Sequence, residues 1–87
     1  MSVRLPSIRG EQLIKLLEKD GWKKGGQRTH GVELRKYFPD EDRTRLTIIS
    51  LHNDTLPKGT LSKILGHQQT NIGKDGLKKL IDDYGLK

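Results

Sequence analysis

The sequence predicts an α+β fold of order αβββα with one further C-terminal helix, in which a three-stranded antiparallel sheet carries its helices on one face. Three observations predict it. A helix-period apolar pattern opens the chain, two strand-like segments flank a Pro-Asp turn in its middle, and two more helical patterns close it.

In "EQLIKLLEKDG", Glu11 to Gly21, the residues Leu13, Ile14, Leu16 and Leu17 share one broad face, and Gln12, Lys15, Glu18 and Lys19 cover the rest. Gly10 is the expected N-cap and Gly21 the expected left-handed C-cap. A first strand starts at Trp22 in "WKKGGQ", where Gly25 and Gly26 mark a bulge or loop. In "THGVELRKYF" the period is two. His30, Val32, Leu34, Lys36 and Phe38 fall on one face, and Thr29, Gly31, Glu33, Arg35 and Tyr37 on the other.

"PDEDRT", Pro39 to Thr44, has turn chemistry, and "RLTIISL", Arg45 to Leu51, reads as a better-buried third strand. In "LPKGTLSKILG" Pro57 suits a first helical turn, Leu61, Ile64 and Leu65 form a short apolar face, and Gly66 stops it. Leu77, Leu80, Ile81 and Tyr84 recur at helical spacing in the last segment, which Gly85 ends.

Eighty-seven residues suit one domain with a modest core, drawn mainly from Leu and Ile because the chain has one Trp, two Tyr and one Phe. Absent cysteine excludes a disulfide framework, a thiol nucleophile and a thiolate metal site. The opening "MSVRLPSIRG" lacks an apolar leader, and no apolar run approaches a membrane span, so the expected location is the cytoplasm, with no membrane partner. A net charge of +6 suits a polyanion, nucleic acid before an anionic surface, although such a charge is also ordinary for a small soluble domain.

Few site chemistries survive the sequence. His30, His52 and His67 are 22 and 15 residues apart in sequence, without the short pairing of a zinc site, so no metal and no cofactor are expected. No nucleophile elbow, P-loop or dinucleotide fingerprint is present.

There remains His30, an imidazole able to take and return a proton near neutrality. RNA brings its own nucleophile, the 2′-hydroxyl, so its cleavage needs a base, a positive charge near the phosphate and in-line placement. Arg28 lies two residues before His30, and Lys23, Lys24, Arg35 and Lys36 flank it in sequence. The bland alternative is a partly exposed structural histidine. His52 has the same alternative, and His67 suits a helix-end or solvent-exposed position.

"GEQLIKLLEKDGW", the basic stretch reaching "THGVEL", and "RLTIISLHNDTLPKGTLSKIL" together resemble the HicA family of toxin messenger-RNA interferases. The resemblance covers about Pro6 to Leu65, and "LPKGTLSKIL" is its most specific block. The chain is expected to form a single domain over 1–87, with a HicA-like core of about 6–66 and, beyond the minimal family pattern, a helical extension of about 70–85. The implied fold is similar to a double-stranded-RNA-binding domain.

The resemblance also implies metal-independent cleavage of single-stranded messenger RNA, with His30 catalytic, and neutralisation by a HicB-type antitoxin. Where the family has Gly-Ser-His this chain has Arg28, Thr29 and His30, so Thr29 keeps the hydroxyl. Thr29 joins Lys23, Lys24, Arg28, Arg35, Lys36 and Lys58 as candidate RNA-binding residues; a homo-oligomer is compatible with all of this.

Two other readings stand beside it. A non-catalytic double-stranded-RNA-binding module would need clustered lysines where the second helix begins, and this chain offers Lys58 and Lys63. A pure interaction protein would use its sheet edges or basic surface to pair with another chain.

Overall fold

The computed structural model describes residues 6–28, 31–51 and 55–86, with the backbone alone at Gln27 and Arg28. Helix α1 spans Gly10–Lys19, β1 Lys23–Arg28, β2 Gly31–Phe38, β3 Arg43–Ile49, α2 Lys58–Leu65 and α3 Gly73–Tyr84. The order is the αβββα expected, followed by the further helix.

The N-cap of α1 is Arg9, not Gly10, and its backbone N–H donates to Gln12 Oε1 at 2.9 Å. Gly10 is instead a buried first-turn residue lying against the end of β3. A Cβ built there would fall well inside contact distance of the Ser50 carbonyl oxygen. At the other end, Gly21 has φ +99°. Its N–H donates to the Glu18 carbonyl at 3.1 Å and the Trp22 N–H to the Leu17 carbonyl at 2.9 Å, a Schellman closure. The same turn delivers Trp22 into the core, so that this residue precedes β1 and its ring meets Phe38 edge-on at 5.9 Å.

The sheet has the order β1-β2-β3, antiparallel throughout. Lys23 pairs with Arg35 and Arg28 with Gly31; Val32 pairs with Ile49 and Phe38 with Arg43. The register shifts between Lys24 and Gly26, the bulge that the glycine pair predicts. Pro39 to Asp42 form the β2–β3 turn, closed by Glu41 N–H to Phe38 O and Asp42 N–H to Pro39 O, both 3.1 Å. Asp42 takes a left-handed φ of 49°, which a short polar side chain tolerates.

Helices cover one face of the sheet. Val32, Leu34 and Ile49 meet Ile8, Leu13, Leu17, Leu61, Ile64 and Leu77 in one apolar cluster. Helix α3 thus contributes to the same core as α1 and α2. Tyr84 departs from the expected apolar stripe and is exposed, while Leu77 and Leu80 are buried.

Two further expectations about the sheet are corrected. Strand β3, expected over Arg45 to Leu51, lies two residues earlier at each end, and its residues alternate between buried and exposed from Arg45 on. Arg45, Thr47 and Ile49 turn inward, whereas Leu46 and Ile48 turn outward. Polar groups fit inside because each finds partners. Arg45 forks onto Glu41 (Nε to Oε1 2.7 Å, Nη2 to Oε2 2.6 Å), donates to the His67 and Gln69 carbonyls, and lies 5.6 Å from the Phe38 centroid. Thr47 Oγ1 donates to Gln69 Oε1 at 2.5 Å.

The second correction is Glu33. It lies on the outward face as its phase requires, yet it is 1 % exposed. The bare backbone of Gly25 lies against its carboxylate, where a Cβ would clash with Oε2.

Candidate functional site

The backbone places the end of the molecule that carries residue 30. Gly31, at φ +152°, packs so closely on the Ile49 carbonyl that a Cβ would collide with it. Gly10 packs on Ser50, the next residue, from the side of α1. Arg9 in turn bridges Thr55, and the Leu56 N–H donates to Ile8 O at 2.7 Å, which pins the approach to α2. One chain of backbone contacts therefore joins the start of β2, the end of β3 and the first turns of α1 and α2. Both helices begin at this end, so their amide termini bias its potential positive.

His30 and Thr29 connect β1 to β2 in sequence and lie outside the described residues, as does His52. Arg28 ends β1 opposite Gly31 through its backbone; its side chain also lies outside.

The remaining candidate cations are spread more widely than their sequence proximity to His30 implies. Lys36 stands five residues along β2 from Gly31, about 16 Å at strand rise. Its Nζ donates to the Asp20 carbonyl at 2.7 Å and lies 3.5 Å from Asp20 Oδ2, closing the C-terminus of α1, and 5.3 Å from the Phe38 centroid. Lys24 Nζ reaches Glu18 Oε1 of α1 at 3.9 Å. Arg35 and Lys23 are cross-strand neighbours on the open face, and Arg35 Nε donates to Glu33 Oε2 at 2.6 Å. Lys58 is the exposed first residue of α2, whose N-cap is Pro57.

The arrangement thus separates three groups. Arg28 and the α2 start carrying Lys58 belong to the end with residue 30, while Lys23 and Arg35 lie further along the open sheet face. Lys24 and Lys36 face α1.

Sequence reasoning missed Glu33, Arg45 and the outward pair Leu46 and Ile48. The strict period of two in β2 put Glu33 on the outer face but could not show that a glycine bulge would close over it. Among the described residues no group of three or more His, Asp or Glu is disposed to hold a metal ion. No helix among them is long and apolar enough to cross a membrane.

No curated protein and no solved structure matches this chain. Residues 10–85 match the family model described as the HicA toxin of bacterial toxin-antitoxin. The match runs from the first turn of α1 through the sheet and α2 to the end of α3. On that match the chain belongs to the HicA family of toxins of bacterial toxin–antitoxin pairs.

Proposed function

We propose that this toxin acts as a metal-independent endoribonuclease on single-stranded messenger RNA, with His30 as general base, and that a HicB-type antitoxin neutralises it. The observation that carries the reading is the family match over residues 10–85, a span within which His30 falls. Two features support it. Gly31, the residue that follows His30 in sequence, opens β2 and is fixed against the β3 backbone. The surrounding end of the molecule gathers Arg28, Lys58 and two helix N-termini around an anion-friendly potential.

In this mechanism the imidazole of His30 accepts the 2′-hydroxyl proton as the 2′-oxygen attacks the adjacent phosphorus. A new 2′-O–P bond forms, the P–O5′ bond breaks, and the leaving 5′-oxygen takes up a proton. The products are a 2′,3′-cyclic phosphate and a 5′-hydroxyl. Arg28 or a nearby lysine stabilises charge on the pentacoordinate phosphorane. Self-association is compatible with the reading, and nothing in the chemistry requires it.

The test is to incubate the antitoxin-free chain with single-stranded RNA in EDTA and analyse the new ends. Cyclic or 3′-phosphate ends are expected. Intact RNA from a folded sample would overturn the nuclease reading, and activity abolished by EDTA would overturn its metal independence.

A further inference from the structure

Strand β3 inverts the pattern of a half-buried strand. A sheet with one solvated face normally turns apolar residues inward and polar ones outward. Here a guanidinium and a hydroxyl, Arg45 and Thr47, occupy inward positions while Leu46 and Ile48 point to solvent, 41 % and 40 % exposed. Tyr37, on the same face of β2, is 54 % exposed. The buried Ile49 and the hydrogen bonds of Arg45 and Thr47 fix this register, which leaves the two aliphatic side chains on the open face.

Charge borders this patch on one side. Leu46 is the cross-strand partner of Arg35, which is in turn the partner of Lys23, so a cationic margin runs along the β1 side.

We infer that the open sheet face centred on Leu46 and Ile48 is a docking surface for an acidic protein partner, namely the antitoxin paired with this toxin. The inference rests on the proposed neutralisation by a protein antitoxin. Charge complementarity selects the occupant: a chain of net charge +6 with Lys23 and Arg35 beside an apolar patch fits a partner with an apolar centre and acidic rim.

RNA fits less well. Single strands favour flat aromatic platforms. The aromatic this face offers is Tyr37, whose hydroxyl donates to Asp42 at 2.8 Å beside the acidic turn Asp40, Glu41, Asp42. A second copy of the chain would bring two cationic margins together. Ile48 pairs with Glu33, two residues beyond Gly31. A partner seated on this face therefore reaches the end carrying residue 30 without His30 as its anchor.

The probe is the co-expressed HicB-type antitoxin, purified and titrated onto the parent chain and onto the Leu46→Lys/Ile48→Lys double variant. Melting temperature and RNA cleavage are followed in parallel. Affinity for the antitoxin is expected to fall about 30-fold or more in the double variant, as for central interface residues, with cleavage retained. Lys15→Ala, in the groove between α1 and α3, is expected to leave affinity within about twofold, as a position outside the interface. If the double variant melts below the assay temperature, Ile48→Thr alone carries the test.

Equal affinity in parent and variant would overturn the inference while leaving the toxin reading intact. So would a variant that keeps the antitoxin but loses RNA binding, or a parent dimer that the variant abolishes. A parent chain that cleaves RNA but binds no antitoxin would remove both the inference and the proposed neutralisation.

Discussion

Three glycines do more here than permit turns. Gly10 and Gly31 approach the Ile49–Ser50 backbone from α1 and β2, and Gly25 lies against the Glu33 carboxylate. Sequence reading assigned Gly10 to a cap and Gly25 to a bulge. The bulge is correct, but the close approach beside it was invisible, because which backbone passes over a glycine is decided by tertiary packing. Gly10→Ala is expected to destabilise the fold by about 1–3 kcal/mol through overpacking, measured by denaturant titration. A neutral substitution would mean that α1 and the end of β3 separate easily. Gly31→Ala combines the same collision with an unfavourable φ. It should impair folding and RNA cleavage together, since the strand start that carries His30 would shift.

The helices were legible at the level of elements because their apolar residues recur at helical period, and β2 because it alternates. Strand β3 was legible in kind but not in orientation. Its apolar density suggested a better-buried strand, whereas Leu46 and Ile48 face outward and Arg45 goes inward by virtue of partners 4, 22 and 24 residues away. Those partners make Arg45 the tie between the sheet, the β2–β3 turn and the connection from α2 to α3.

The Arg45 guanidinium, by hydrogen bonding first and charge second, holds the Glu41 carboxyl below its ordinary value of 4.5. A depressed carboxyl adds stability above the unfolded-state pKa and loses it as pH falls through the folded value. Glu41→Gln should therefore lower the melting temperature at neutral pH, with the difference from the parent shrinking in acid. A difference that persisted unchanged down to about pH 2, below an ordinary carboxyl pKa, would show that the ion pair is not its source. Arg45→Ala should lower the melting temperature further, because two carbonyls and the Phe38 face lose a partner as well. Helix α3 is part of the core, so Leu77→Ala should cost about 2–5 kcal/mol. A loss below about 1 kcal/mol would mean that the C-terminal helix docks loosely.

On the scale of the whole molecule, the basic charge and the αβββα order were available from the sequence, and the element order is the one observed. The distribution of the charge was not. Lysines and arginines flanking His30 in sequence divide between the α1 side, the open sheet face and the end with residue 30, since antiparallel pairing carries strand neighbours away from a hairpin end. RNA affinity should accordingly fall steeply with salt, as expected when several cations displace counterions from phosphates. Lys36→Ala, which frees the α1 C-terminus, should lower stability more than it lowers RNA affinity.

The central claim is that His30 moves a proton, and the rates at which the parent and His30→Ala cleave one single-stranded RNA in EDTA test it most directly. The account predicts a fall of about 10²–10⁴-fold at unchanged melting temperature. Equal rates would contradict it and leave His30 a structural residue.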